Sequence, residues 1–483
     1  MGDHIHVLVS LTRIGATRQR FDKAFAIHGV EPTLMDHAFA SIPGARVLPV
    51  AGQPGLFVVS VPMVWLGTRI ARDETFSALA VTFGQLAERV RGNGGMLVPT
   101  GVGTSWRTAI SGGDLHTLAV LSSAEQEVLC NLLRSQIPAL VALFGRGITV
   151  AGAPLDRIGS RWLAGSASHL ATRFLASTAP EHLDRVKVEL RRRDGVELLD
   201  RMDVYPSHEP DGTLTVSVRC LDAAATLAGI RAQALLLAAL AMQARRLVRD
   251  GRRVGNTQQR VLEDNRARAV AEGLRARLAV DEGQPARQGP NGATDRSKVA
   301  NRREASEPPM RDARDVARSL IRSAAVELRN LDADVAELAP VLLPLDLPEL
   351  GVKRETTESD MLTRWAGDGE GELLGRCLGA LADATPGGPL LEWLQHSIPG
   401  RTSIVLGSWR SRIADAQPTS TKGRPRQSRD ETSGSRPRVD RRTKQGEDRD
   451  GRRRGGDPNG GRKDGARGHG AKRRRGDEGT ARS

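Results

Sequence analysis

The chain has 483 residues, a formal net charge of +14 at pH 7 and three cysteines. The widely spaced, odd number of cysteines argues against a disulfide framework, and the chain start lacks the basic and apolar pattern of a signal peptide, so we expect a cytoplasmic protein. The basic excess is uneven, because residues 417–483 carry 21 Lys and Arg against 10 Asp and Glu, which leaves the preceding residues close to neutral.

The first half of the chain alternates short apolar runs with amphipathic segments. We predict strands at 5–11, 57–62, 96–101 and 114–120 from runs such as FVVSVP and DLHTLAV. Helices are predicted at 73–94 and 124–145. Strands accompanied by segregated helices favour an α+β fold with a mainly antiparallel sheet.

The segment 213–278 is the most informative part of the sequence. Its strand alternates Val216 and Val218 with Ser217 and Arg219, which is the pattern of a half-buried strand. The helix that follows is uncharged from 232 to 244, which is too short to cross a bilayer and predicts a helix inside a globular core.

Two low-complexity segments divide the remainder. Residues 281–312 are rich in Pro, Gly, Asn and Ser, which predicts a linker or long loop between a core at 1–280 and a helical region at 313–416. The tail, 417–483, has almost no apolar residues and is predicted to be disordered. Its arginine clusters could bind a polyanion or nucleic acid without sequence specificity, or the tail could be a solubilising extension.

Two motifs carry a resemblance to a known family. The chain reads V-S-V-R at 216–219 and N-R-A-R-A-V-A-E-G-L at 265–274, and a weaker R-W loop spans 157–165. These segments resemble the type 2 glutamate–cysteine ligases and their carboxylate–amine ligase relatives. The resemblance implies an α+β fold with a cupped antiparallel sheet, and a reaction that joins a carboxylate to an amine with ATP and Mg²⁺.

The family's metal-binding glutamates are missing from this sequence. In the family they lie on the first strand, the second strand and the V-E-V-R strand, and the matching places here read IHVLVSL, FVVSVP and TVSVR. Serine hydroxyls and a histidine are poor substitutes for carboxylates, the ligands that magnesium prefers. We therefore predict no metal ligands and a degraded metal site.

The arginines of the family pattern are better preserved. The resemblance assigns Arg219 and His116 as catalytic residues, and a nucleotide- and substrate-binding group completes the predicted site: Arg161, Trp162, Asn265, Arg266 and Arg268. Guanidinium groups suit bidentate recognition of phosphate or carboxylate. The alternatives are a solvated helix face for Arg266 and Arg268 and a core position for His116. We expect Arg219 and His116 to meet on the concave face of the sheet.

Two functions of different classes remain open from sequence. One is an active ATP-dependent ligase that takes an amino-acid substrate and recruits acids from other positions, such as Asp114, Asp222 or Glu263. The other is a non-catalytic scaffold that binds an anion or nucleic acid. Carboxylates within about 4 Å of the arginine cluster would favour the first.

Overall fold

The computed structural model describes most of the chain up to Gln417. The described residues are 18–28, 46–49, 56–99, 112–145, 159–165, 169–194, 199–279, 309–352, 356–368 and 370–417. They belong to one compact unit, Met1–Ser420. The predicted strand at 5–11, residues 281–308 of the predicted linker and residues 418–483 of the predicted tail lie outside the described residues.

A seven-stranded sheet forms the centre of the fold. Its strands are β1 (Arg18–His28), β2 (Arg46–Pro49), β3 (Leu56–Trp65), β4 (Met96–Val98), β5 (Gly113–Ala119), β6 (Val204–His208) and β7 (Leu214–Asp222). Their order is β2-β3-β1-β5-β7-β6, with β4 beside the far end of β1, and every pairing is antiparallel. The predicted α+β class with a mainly antiparallel sheet is confirmed. A separate two-stranded sheet pairs β8 (Arg277–Ala279) with β9 (Met310–Asp312).

Helices make up most of the remaining described structure. They are α1 (Arg69–Gly92), α2 (Ser123–Phe144), α3 (Arg161–Gly165), α4 (Pro180–Asp194), α5 (Leu227–Arg249), α6 (Gln259–Glu272), α7 (Ala313–Ser323), α8 (Ala325–Asn330), α9 (Ala339–Asp346), α10 (Glu358–Gly367), α11 (Glu370–Ala382), α12 (Gly388–Ser397) and α13 (Pro399–Ala414). The long helices begin at hydroxyl caps, since Thr68, Ser122 and Thr226 each accept a hydrogen bond from a backbone N–H in the first turn.

One face of the sheet packs on helices and forms the core. Phe21 and Phe25 of β1 lie against Phe76 and Phe83 of α1, with ring centroids 6.1 and 5.4 Å apart. Helices α2 and α5 are long and apolar enough to cross a membrane, but the apolar windows of the two helices are 83% and 89% buried inside the protein. They serve as core helices, as the short uncharged stretch in α5 predicts.

A fully buried ion-pair network joins α1, α5 and the loop before α9. Glu337 accepts two hydrogen bonds from Arg72, both at 2.7 Å, and one from Arg231 at 2.8 Å. The side chains of Glu337 and Arg72 are 0% exposed and that of Arg231 is 2% exposed. Burial alone would raise the pKa of Glu337, but Arg72 and Arg231 lower it below its usual value. The network therefore holds three segments together around one ionised carboxylate.

Candidate anion site on the open face of the sheet

The strand register separates a core face from an open face. Cross-strand pairs place Asp22 beside Ser60, Thr117 beside Ser217, and Tyr205 beside Ser217. Because directly paired residues share a face, these side chains all lie on the face opposite Phe21. The serines at the two places where the family has glutamates therefore lie on the same face of the sheet.

Hydroxyl groups form a connected network across this face. The Ser207 hydroxyl is 2.8 Å from the hydroxyls of Thr215 and Ser217, and the Ser217 hydroxyl is 3.3 Å from that of Thr117. Arg20 of β1 donates weakly to Thr117 at 3.5 Å. Burial raises the pKa of the neighbouring Tyr205, so its phenol stays protonated. The surface offers neutral donors and acceptors where a hard cation would need charged oxygens.

Two carboxylates reach this face, and each is engaged by neighbours. Asp22 accepts a hydrogen bond from Ser60 at 2.6 Å, and Glu209 accepts one from Arg20, also at 2.6 Å. Burial raises the pKa of Asp22, so this carboxyl group gives up its proton less readily than an exposed one. In the described part of the chain, no group of three or more His, Cys, Asp or Glu side chains is arranged to hold a metal ion. Magnesium is commonly held by one or two carboxylates together with substrate phosphates, so the degraded metal site stays a prediction.

Arg219 lies at the end of this face, beside Trp162. The Trp162 indole donates to the backbone carbonyl of Arg219 at 2.8 Å, and the Trp162 backbone N–H donates to Asp222 at 3.3 Å. Asp222 also accepts from Ser160 at 2.5 Å, which fixes the turn that begins α3. A Cβ on Gly113 would lie 2.5 Å from the indole, so the glycine allows Trp162 to approach β5. The two motifs that contain Arg219 and Trp162 are in contact, the side chain of Arg161 lies outside the described residues, and the predicted arginine cluster stays a prediction.

A second arginine reaches the same region from α6. Arg266 forms two hydrogen bonds with the fully buried Asp203, at 2.6 and 2.8 Å. Asp203 precedes β6, and its carbonyl accepts the backbone N–H of Arg219 at 2.8 Å. The bidentate pair fixes the guanidinium of Arg266 next to the strand that carries Arg219.

His169 lies at this edge of the sheet, near the positive charges of several arginines. Burial, followed by the charges of Arg219, Arg266 and Arg201, lowers its pKa from 6.5 to about 3. Its ring lies edge-on to Trp162, with centroids 4.7 Å apart. Neither His169 nor Arg201 was predicted as a site residue, because nothing in their local sequence distinguishes them.

The other two predicted residues of α6 make different contacts. The Asn265 amide pairs with the backbone of Ala279 through two 2.7 Å hydrogen bonds, which attaches α6 to β8. Arg268 donates to the carbonyl of Arg277 at 3.2 Å and contacts the Met310 sulfur at the same distance. Both side chains therefore contact the small sheet of β8 and β9, and a ligand-binding part for them stays a prediction.

His116 lies on the core face of the sheet. Its cross-strand partner is Val218, the residue before Arg219 on β7. Because neighbouring residues of a strand point to opposite faces, the expectation that His116 meets Arg219 is wrong. Its ring nitrogens contact the side chains of Gln19 at 2.7 Å and Gln233 at 3.1 Å, and burial lowers its pKa. The histidine is held neutral in a polar niche of the core, and a catalytic part for it stays a prediction.

Two of the three acids that the sequence nominated as replacements pair elsewhere, while the third, Asp222, accepts hydrogen bonds from Ser160 and Trp162 beside Arg219. Asp114 forms a buried ion pair with Lys23 at 3.3 Å, and Glu263 pairs with Arg173 at 2.8 Å. Two other acids come within 4 Å of the arginines: Asp203 on Arg266, and Asp200 at 4.0 Å from Arg219. Each forms an ion pair with one arginine and offsets its charge; by the criterion set from the sequence, carboxylates within about 4 Å of the arginines favour the ligase.

His169 gives a prediction for acid stability. The unfolded chain protonates this imidazole near pH 6.5, whereas the folded protein resists protonation down to about pH 3. The contribution of this group to the free energy of unfolding is therefore present above pH 6.5 and is lost as the pH falls. The loss between pH 6.5 and pH 5 is about 1.5 kcal/mol. Urea unfolding at both pH values should show that His169→Gln removes this part of the loss. The exposed His396→Gln variant should keep it, and an unchanged acid slope in His169→Gln would overturn the assignment.

Comparison with known proteins gives similarity at the level of fold. No protein-family model matches the chain, and no curated protein sequence matches it. A Francisella tularensis glutamate–cysteine ligase in complex with AMP is similar over 84% of this chain and 96% of its own, with a TM-score of 0.46 and 11% identity. The complex of the prokaryotic ubiquitin-like protein Pup with its ligase PafA is similar over 82% and 80%, with a TM-score of 0.45 and 10% identity.

Proposed function

We propose that this chain is a divergent carboxylate–amine ligase-like protein that binds an anionic ligand at Arg219 without an ordinary magnesium–phosphate site. The observation that carries the proposal is that Arg219 of β7 and Arg266 of α6 come to one edge of the open face, where the Asp203 carboxylate binds Arg266 and the Asp203 carbonyl accepts the backbone N–H of Arg219. Beside it, Ser60 and Ser217 occupy strand positions from which carboxylates would hold a metal.

Arg219 is the best candidate for direct contact with the ligand. Its side chain is 23% exposed and its guanidinium donates to the backbone carbonyl of Asp200 at 2.5 Å, while the Asp200 carboxylate is 4.0 Å away and 49% exposed. An ion pair at this distance contributes little, so an incoming phosphate or carboxylate can displace the Asp200 carboxylate. Arg266, by contrast, is ion-paired with Asp203, so it contributes to ligand binding through its positive charge and not through direct contact.

The test is a calorimetric titration of the full-length protein with AMP-PNP, a non-hydrolysable ATP analogue. Arg219→Ala should weaken binding at least about tenfold, the usual loss for one charge-assisted contact. Arg260→Ala is the matched control, because Arg260 lies on the same helix as Arg266 and is 92% exposed, and it should bind within about threefold of wild type, a factor worth under 1 kcal/mol. Equal losses in the two variants would sink the proposal, and so would wild-type protein that binds no analogue.

ATP-dependent amide formation is the second candidate. It is favoured by Asp22, a carboxylate of β1 that lies beside Ser60 on the open face. The test is release of ADP when ATP, magnesium and a panel of amino acids are supplied, with Asp22→Asn as the inactive control. Turnover that Asp22→Asn abolishes would establish the enzyme, and no turnover with intact AMP-PNP binding would leave the binding function alone.

A further inference from the structure

A second arginine-lined cavity lies among the ends of three helices, in a different part of the fold. Its volume is about 220 Å³, and its lining includes Arg246, Arg322 and Arg412. Each of these arginines lies in the last turn of its helix: Arg246 in α5, Arg322 in α7 and Arg412 in α13. Three helices of distant sequence therefore bring three guanidinium groups to one cavity.

Capping of the helix ends does not account for these arginines. The Arg329 guanidinium bonds the carbonyls of Ala414 and Ala416 at the end of α13, and the backbone N–H of Ala324 closes the end of α7. The end of α5 is closed by the N–H groups of Asp250 and Arg252. In the described part of the chain, the side chains of Arg322 and Arg412 donate no hydrogen bond to a helix carbonyl.

The charges of two of the three arginines remain largely uncompensated. Glu327 neutralises Arg246 at 2.6 Å. Asp346 lies 3.6 Å from Arg412, but it is already engaged by Arg318 at 2.6 Å and by the Trp409 indole at 2.7 Å. Among the described residues, the only recorded contact of the Arg322 side chain is with the Trp409 ring.

The buried Trp409 ring orients these two arginines. The guanidinium carbons of Arg412 and Arg322 lie 5.0 and 6.0 Å from the indole centroid. An aromatic contact engages the face of a guanidinium and leaves its N–H edge free for a planar or tetrahedral anion. The ring thus contacts both cavity-lining guanidinium groups without accepting hydrogen bonds from their N–H donors in the plane of the fork.

We propose that this cavity binds a phosphate group, either as inorganic phosphate or on a small phosphate monoester. The volume is below the roughly 300–1,000 Å³ typical of pockets for drug-sized ligands, so the ligand is small. Two uncompensated guanidinium groups beside a neutralised third match a dianion, for which arginine is the preferred partner. This site is independent of the anion site at Arg219.

The test is calorimetry of full-length protein with inorganic phosphate and, separately, with glycerol 3-phosphate at physiological salt. Both titrations use an Arg219→Ala background, so that binding on the sheet does not contribute. One phosphate per chain is expected, and Arg322→Gln/Arg412→Gln should lower the affinity at least about tenfold. The Arg322→Lys/Arg412→Lys variant keeps the charge but loses the forked donors. Its phosphate affinity should lie between that of the Arg219→Ala background and that of the Arg322→Gln/Arg412→Gln variant.

Arg260→Gln is the matched control, since its side chain is 92% exposed and lies outside the cavity lining. Tighter binding of glycerol 3-phosphate would identify a monoester as the ligand, and tighter binding of inorganic phosphate would identify the free anion. Absence of binding, or equal affinity in the Gln/Gln variant and the Arg260→Gln control, would overturn the proposal. Circular dichroism establishes that each variant is folded, and the single variants Arg322→Gln and Arg412→Gln repeat the test with one charge removed.

Discussion

Glu337→Gln is expected to lower the free energy of unfolding by about 3–5 kcal/mol, the usual cost of removing one partner from a buried ion pair. Glutamine keeps the shape of the side chain but leaves the buried Arg72 without an anion, and it leaves Arg231 with the partly exposed Asp73 as its remaining carboxylate partner among the described residues. Arg72 also donates to three backbone carbonyls, so it cannot turn toward water without breaking those bonds. The loss therefore falls on the contact among α1, α5 and the segment before α9.

Urea unfolding of full-length protein measures this loss. Glu372→Gln is the matched control, because Glu372 pairs with Arg376 at 3.0 Å on an exposed helix surface. Such a pair contributes about 0.5 kcal/mol or less. If Glu337→Gln costs no more than Glu372→Gln, the buried network does not hold the three segments together.

Asp203→Asn is expected to change stability and anion affinity in opposite directions. The substitution leaves Arg266 without its carboxylate, which should cost about 3 kcal/mol of stability because Asp203 is fully buried. The same change leaves the charge of Arg266 uncompensated beside Arg219. We therefore expect AMP-PNP to bind at least about threefold more tightly, since a nearby opposite charge acts strongly at low effective dielectric.

Unfolding measurements and calorimetric titration of Asp203→Asn test the expected loss of stability and the expected gain in AMP-PNP affinity. Asp264→Asn on α6 is the control, because Asp264 pairs with Arg260 at 3.9 Å and is 58% exposed. Neither its stability nor its affinity should change appreciably. Weaker anion binding in Asp203→Asn would contradict the account, because Asp203 would then be organising the site more than it neutralises it.

The sequence predicted the apolar elements well and missed a central strand. Periodicity located β3, β5, β7 and the long helices, because each has a regular apolar face. Strand β1 reads RQRFDKAFAIH, and its charged residues conceal the alternation of Phe21 and Phe25. Lys23 is buried there because Asp114 and the carbonyls of Ala24 and Pro99 satisfy its ammonium. Asp114 and Pro99 are remote from Lys23 in sequence, so a local pattern could not reveal them.

The site was predicted in part, for a similar reason. The V-S-V-R motif identified Arg219, and the strand period placed Ser217 on the same face. Spacing within α6 was misleading, because residues two apart on a helix point in nearly opposite directions, so Arg266 and Arg268 diverge. His169, Arg201 and Asp203 come together through the sheet register and loop geometry, which no short sequence pattern encodes.

The most direct test of the central claim is the magnesium dependence of anion binding by the full-length protein. AMP-PNP is titrated with and without magnesium, and the affinities are compared. The described part of this face presents hydroxyls, arginines and two carboxylates that are already engaged, Asp22 and Glu209, so the proposal predicts affinities within about threefold of each other. Binding that is more than about tenfold tighter with magnesium would contradict the account and would show that a working metal–phosphate site exists on this sheet.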